Sequence, residues 1–262
     1  MQIVGNIYSK EKNMMHVAIN AAQEAGKVLM EYYGKMITVQ LKERQVDAAS
    51  VFSEADLAAE ETAVGILAKH FPDHNILAEE KTSIDKGSSY KWSIDPLDGT
   101  SNFLRHIPLF GVSIGLIHEQ QSILGVLYFP ALQLLVSAEK GKGAFANGKQ
   151  IHVSARPLGQ SLYYSGGYHR GTLGIENKVY PKTGFTKIID ASSYEFAQIG
   201  MGDAELYILQ SVLHDVAAGV VIVREAGGRV TDFQGNEWNA SSKGIVASNG
   251  VIHDEVLALM NS

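Results

Sequence analysis

The stretch GVSIGLIHEQQSILGVLYFPALQLLVSAEKGKGAFANGKQIHVS, Gly111 to Ser154, leaves the fold little freedom. Apolar runs are broken by turns at Glu119-Gln120, Pro130 and Asn147-Gly148. Asn-Gly between such runs is a hairpin signal, and the spacing predicts an antiparallel meander. Helical texture flanks it. Val17, Ala21, Ala25, Val28 and Leu29 recur at helical spacing and predict a helix over Met14 to Tyr33, stopped by Gly34. A strand is expected over Met36 to Leu41 and a polar loop over Lys42 to Ala49. Ser53 reads as the N-cap of a second helix, with Glu54 and Asp56 in its first turn and Phe71-Pro72-Asp73 at its end. Strands are predicted over Asn75 to Ala78, Tyr90 to Ile94, Ser161 to Ser165, Glu205 to Leu209, Arg229 to Asp232 and Gly244 to Ser248. Helices are predicted over Ser193 to Met201, Asp215 to Glu225 and His253 to Met260. The two textures are mixed without strict alternation. That predicts an α+β fold of layers with substantial antiparallel pairing rather than a doubly wound sheet. One domain of two halves is expected, with a seam near Ala155 to Gln160.

Composition narrows the function. The chain has 262 residues, 45% hydrophobic and 19% charged, with a formal net charge of −6. A large nucleic-acid footprint needs clustered basic residues, so the acidic balance argues against one. There is no cysteine, which excludes disulfide staples and thiolate metal sites. No run reaches the roughly 18 apolar residues of a membrane span. The start, MQIVGNIYSKEKNMMH, does not read as a signal peptide, and a cytoplasmic protein is expected. GAFANGKQ approaches a P-loop, but Gln150 stands where Ser or Thr is needed and a strand follows instead of a helix.

The chemistry concentrates in WSIDPLDGTSNF, Trp92 to Phe103. Two carboxylates, Asp95 and Asp98, flank Pro96 and Leu97, and Gly99 turns the chain. Close carboxylates raise each other's pKa unless a cation intervenes. Carboxylates with a main-chain carbonyl, here that of Leu97, are hard oxygen ligands suited to Mg2+ or Mn2+. The alternative is an ordinary acidic turn. Gly99, Thr100, Ser101 and Asn102 tip the balance. They supply free amides, hydroxyls and a helix start, which is an anion cradle.

DPLDGTSNF resembles the metal-binding signature of the inositol monophosphatase family of Mg2+-dependent, lithium-sensitive phosphomonoesterases. AEEKTS, Ala78 to Ser83, is similar to that family's G-E-E-S segment. HDVAAG, His214 to Gly219, with VREAGGRVTD behind it, resembles its second signature. FSEAD, Phe52 to Asp56, resembles its T-x-x-D segment. The resemblance implies a layered α-β-α-β-α sandwich, also shared with fructose-1,6-bisphosphatases. It implies that Glu79, Asp95 and the Leu97 carbonyl hold one ion, that Asp95, Asp98 and Asp215 hold a second, and that a third is possible near Glu79. Thr100, oriented by Asp56, would direct a metal-activated water. The amides of Gly99, Thr100 and Ser101 would grip the phosphate, with Lys42 nearby. A homodimer is also implied.

His214 replaces the tryptophan usual before the second-signature aspartate. Apolar Ile208 and Leu209 stand where many inositol-selective members carry an acid, and Tyr163 to Gly174 matches no substrate loop. Substrate is thus less defined than reaction. Myo-inositol 1-phosphate is the family default. Fructose 1,6-bisphosphate, histidinol phosphate and adenosine 3′,5′-bisphosphate are its rivals. A non-catalytic regulatory phosphate-binding protein is the alternative from another class.

Overall fold

The computed structural model describes residues 2–41, 51–166, 173–210 and 212–262. The first half runs α1 (Gln2–Tyr32), β1 (Val39–Leu41), β2 (Val51–Ser53), α2 (Glu54–His70), β3 (Asn75–Ala78), β4 (Ser83–Ile84), β5 (Tyr90–Asp98) and α3 (Thr100–Leu104). The meander follows as β6 (Gly111–His118), β7 (Gln121–Phe129), β8 (Leu134–Glu139), β9 (Ala144–Ala146) and β10 (Lys149–Ile151). The second half holds β11 (Leu162–Ser165), α4 (Leu173–Val179), β12 (Phe185–Lys187), α5 (Ser192–Gly200), β13 (Leu206–Leu209), α6 (Leu213–Glu225), β14 (Arg229–Thr231), β15 (Ile245–Ser248) and α7 (His253–Met260).

Among the described residues one sheet has the order β10-β9-β8-β7-β6-β5-β3-β4, and a second has the order β12-β11-β13-β15-β14. The meander strands pair antiparallel throughout. The β3–β5, β11–β12 and β11–β13 pairs are parallel. α1 and α2 cover one face of the first sheet, α5 and α6 lie between the two sheets, and α7 covers the far face of the second with α4 against it. The result is an α-β-α-β-α stack. Among the described residues no helix is long and apolar enough to cross a membrane.

Small residues set the layer spacing. α1 buries Ala18, Ala21, Ala22 and Ala25 against Ala55, Ala59 and Ala63 of α2. Side chains this small let the helix pair lie close, and the stripe follows the 3.6-residue period. The helix expected to begin at Met14 begins at Gln2. The strand expected over Met36 to Leu41 is confined to Val39–Leu41. The strand expected to stop at Ile94 continues through Pro96 to Asp98.

His253, at the start of α7, is wholly buried. Its ring bonds Thr231 Oγ1 at 2.9 Å and Ser248 Oγ at 2.7 Å. Burial, with Arg229 nearby, pushes its pKa down from 6.5 to about 4. The folded state therefore holds the neutral ring, while the unfolded chain takes up a proton near pH 6.5. This contribution is complete above pH 6.5 and is lost as the pH falls towards 4, at up to about 1.4 kcal/mol per pH unit. Urea unfolding at pH 7 and pH 4.5 is expected to show a loss about 2 kcal/mol smaller in His253→Gln than in the unaltered protein. Equal losses would rule the assignment out.

Candidate active site

The site begins with a defect in β5. Asp95 pairs with Ser113 and Asp98 with Gly111, so Pro96 and Leu97 together oppose Val112. Pro96 has no N–H to give the ladder, and prolines inside sheets sit at such bulges. Residues three apart on a regular strand face opposite sides. The extra residue of the bulge re-aims the chain, so Asp95 and Asp98 serve one site. Asp95 Oδ1 accepts from Leu97 N at 3.0 Å, which ties the bulge from within.

Gly99 follows with φ +82°, and a Cβ there would lie 2.7 Å from the Leu109 carbonyl oxygen. Only glycine suits this turn. α3 starts at Thr100 with no side-chain cap, so its first amides face outward from the turn. The Thr100 hydroxyl lies 3.0 Å from the Leu97 carbonyl oxygen and 3.3 Å from Asp56 Oδ1.

Asp56 is shared between two tasks. Its Oδ2 accepts from Ser53 N at 2.7 Å and Ser53 Oγ at 2.6 Å, while Ser53 Oγ accepts from Ala55 N. This is the capping box that starts α2. Oδ1 faces Thr100. Burial pushes the Asp56 carboxyl up to about 6, against the opposing pull of the Ser53 hydrogen bonds.

Three further acids meet at Asp95. Burial first, and then the carboxyls of Glu79, Asp98 and Asp215, push Asp95 well above the usual carboxylate range, and Asp95 also shares a hydrogen bond with Glu79. Glu79 enters from the end of β3, where its N–H donates to the Ile94 carbonyl of β5 at 3.1 Å. Asp215 enters from the first turn of α6. That helix lies against the sheet at two facing glycines, Gly115 and Gly125. A Cβ on Gly115 would be 2.7 Å from Ala217 Cβ, and one on Gly125 would be 2.3 Å from the Ala218 carbonyl oxygen. The missing side chains allow α6 to approach, and the approach brings Asp215 to the cluster.

Asp98 is held from a distant part of the chain. Its Oδ1 accepts from Ser192 N at 3.0 Å, and its Oδ2 from Ser193 N at 2.7 Å and from the Ser193 hydroxyl. The start of α5 thus embraces this carboxylate, with the helix dipole in its favour. Nearby, the Ser101 hydroxyl donates to Asp190 Oδ2 at 2.7 Å, and Asn102 Nδ2 donates to the Leu109 and Ile189 carbonyls, each at 2.9 Å. Asp98→Asn would therefore change two things at once. It removes a charge from the cluster and turns an amide nitrogen towards α5 donors.

His214, which takes the place of the usual tryptophan before Asp215, stands over the cluster. Its Nε2 is 3.5 Å from Asp215 Oδ1 and 3.9 Å from Glu79 Oε1. Ser192, Ser193 and Asp190 are the site neighbours that the sequence did not reveal. Only the Ser-Ser pair at a helix start carried a local signal. Lys42 and residues 167–172 lie outside the described residues.

Among the described residues no three acids or histidines stand in a closed ligand arrangement, although four carboxyls repel one another here. Carboxylates rotate about soft torsions, while the backbone sets where they start. The residues that could hold a cation offer carboxylates and a carbonyl, a hard oxygen set that suits Mg2+ or Mn2+, and a cation would relieve buried like charges.

The model of the inositol monophosphatase family matches residues 10–262. A Thermotoga maritima protein named fructose-1,6-bisphosphatase/inositol-1-monophosphatase is 36% identical over 246 residues, 93% of this chain and 94% of its own. A Pseudomonas aeruginosa protein named Nus factor SuhB is 31% identical over 249 residues, 90% and 91% of the two chains. Among solved structures, the Thermotoga maritima IMPase superimposes with a TM-score of 0.86 at 35% identity, over 95% of this chain and 97% of that one.

Proposed function

This chain belongs to the inositol monophosphatase family, and on that premise we propose that it hydrolyses small phosphomonoesters with Mg2+, by attack of water and with no covalent phosphoenzyme. It is a phosphatase by family. What supports the finer reading is the meeting of Glu79, Asp98 and Asp215 at Asp95, with the Asp56–Thr100 pair beside them.

Glu79, Asp95, Asp98, Asp215 and the Leu97 carbonyl would hold two Mg2+ ions, with a third possible near Glu79. When bound, such ions make water a strong nucleophile near neutral pH and stabilise the leaving oxygen. The chain's own groups orient. The Thr100 hydroxyl, between the Leu97 carbonyl and Asp56, directs the water's lone pair. Asp56 receives the Thr100 proton in a hydrogen bond and so fixes the direction of that hydroxyl. The amides at Gly99, Thr100 and Ser101 bind phosphate oxygens, since a helix start presents unpaired donors. The start of α5 keeps Asp98 in place.

The test is phosphate release with Mg2+ from myo-inositol 1-phosphate, fructose 1,6-bisphosphate, histidinol phosphate and adenosine 3′,5′-bisphosphate. The first two lead because the Thermotoga relative is named for both activities. Turnover of at least one, abolished by EDTA, is expected. Two relatives are named Nus factor SuhB, which makes a regulatory role the second reading. Absence of turnover on every substrate would favour it.

A further inference from the structure

Glu60 lies one helical turn beyond Asp56 on α2 and is only 3% exposed. Its carboxylate does not face the acid cluster. It faces the back of the turn that carries Glu79. Oε2 accepts from Glu80 N at 2.8 Å and Lys81 N at 3.4 Å. Oε1 accepts from Lys81 N at 3.1 Å, Thr82 N at 2.8 Å and Thr82 Oγ1 at 2.7 Å. Three consecutive amides and a hydroxyl thus converge on one side chain. The turn is closed on itself by Ala78 N to Thr82 O at 2.8 Å, and tied to β5 through Glu79 N.

A buried carboxylate is costly, and a neutral residue would hold a turn at lower cost. What the charge adds is strength and direction, since hydrogen bonds to an ionised acceptor are about twice as strong as neutral ones. The residue anchored by this grip is Glu79, which has β5 on one side and the clamped amides on the other. The same face of α2 carries Asp56, four residues earlier, against Thr100. One helix therefore addresses both the Thr100 hydroxyl and the Glu79 turn.

We propose that Glu60 is a positioning residue, clamping the Glu79–Thr82 turn so that the Glu79 carboxyl is held at the metal site. This rests on the reading that Glu79 is a metal ligand. Groups that orient metal ligands typically cost 10- to 100-fold in metal affinity when removed.

Mn2+ binding, read from the electron paramagnetic resonance of the free ion, tests the proposal alongside Mg2+-dependent phosphate release. In Glu60→Gln the amide nitrogen meets N–H donors on one side of the clamp. The apparent Mn2+ Kd is expected to rise about 10-fold. The Mg2+ concentration for half-maximal rate should rise in step, while the substrate KM at saturating Mg2+ moves less than about twofold. Thr82→Val, which removes only the hydroxyl, is expected to shift metal affinity about two- to threefold in the same direction. Unchanged Mn2+ affinity in a folded Glu60→Gln would overturn the proposal. If that variant does not fold, unchanged affinity in Thr82→Val would overturn it equally. Failure of the underlying reading looks different: the unaltered protein would then bind no Mn2+ and show no Mg2+-dependent turnover.

Discussion

Asp95→Asn is expected to abolish phosphatase activity and yet to stabilise the metal-free protein. Both effects have one cause. Asp95 is buried among Glu79, Asp98 and Asp215, and its carboxyl is pushed well up by burial and then by those neighbours. Its charged form is therefore costly in the folded state at neutral pH without a cation, and the cost falls away as acid protonates it. Asparagine keeps the Oδ1 that accepts from Leu97 N and removes the charge. In EDTA at pH 7 the variant should be more stable by about 1–3 kcal/mol. With Mg2+ at about 100 times its Kd, the unaltered protein gains about 2.7 kcal/mol and the variant gains far less. The order of the two melting temperatures should thus cross as Mg2+ is added. The activity loss should reach about a thousandfold, about 4 kcal/mol of transition-state stabilisation. Parallel Mg2+ responses of the two proteins would remove Asp95 from the metal site.

Gly125→Ala should damage the site without touching it. Its Cβ would lie 2.3 Å from the Ala218 carbonyl oxygen and 2.9 Å from Ala218 Cα, both main-chain atoms of α6. Neither can swing aside as a side-chain tip would. The helix must lift or the strand must bow, and overpacking of this kind costs about 3 kcal/mol. For a chain of this size that is a fall of about 6 °C in Tm. Because Asp215 sits one turn before Ala218 on the same helix, Mg2+ affinity should fall as well. Gly65→Ala is the control of opposite sign. Gly65 is exposed in the interior of α2, and nothing lies within 4 Å of an added Cβ, so alanine should stabilise by about 0.5–1 kcal/mol. Differential scanning calorimetry of the two variants separates the cases. A neutral Gly125→Ala would show that α6 does not depend on this close approach.

Much of the local architecture was legible beforehand. The meander from Gly111, the hairpin at Asn147-Gly148, the Ser53 cap and the limits of α7 follow from period, turn chemistry and capping. The reach of β5 was not legible, because a proline inside a strand normally argues against one, and here it marks a bulge. Glu60 and Glu61 look alike in sequence. Only burial tells the turn clamp from its exposed neighbour. The grip of α5 on Asp98 joins residues 95 positions apart, a distance at which no periodicity survives. His214 is legible only as a departure from the second signature, since a lone histidine carries no spacing signal that would set it beside Glu79.

By itself, the order of residues determined most of the helices and strands, where most of the acids sit on their elements, and through DPLDGTSNF which family's chemistry to expect. Periodicity, capping and turn preferences are local, acting over a few residues. Whether the acids share one pocket was decided only in three dimensions, by the bulge at Pro96, by the seating of α6 on Gly115 and Gly125, and by the docking of α5 against Asp98. The reason is that Coulomb repulsion and desolvation depend on distance through space, and packing sets that distance.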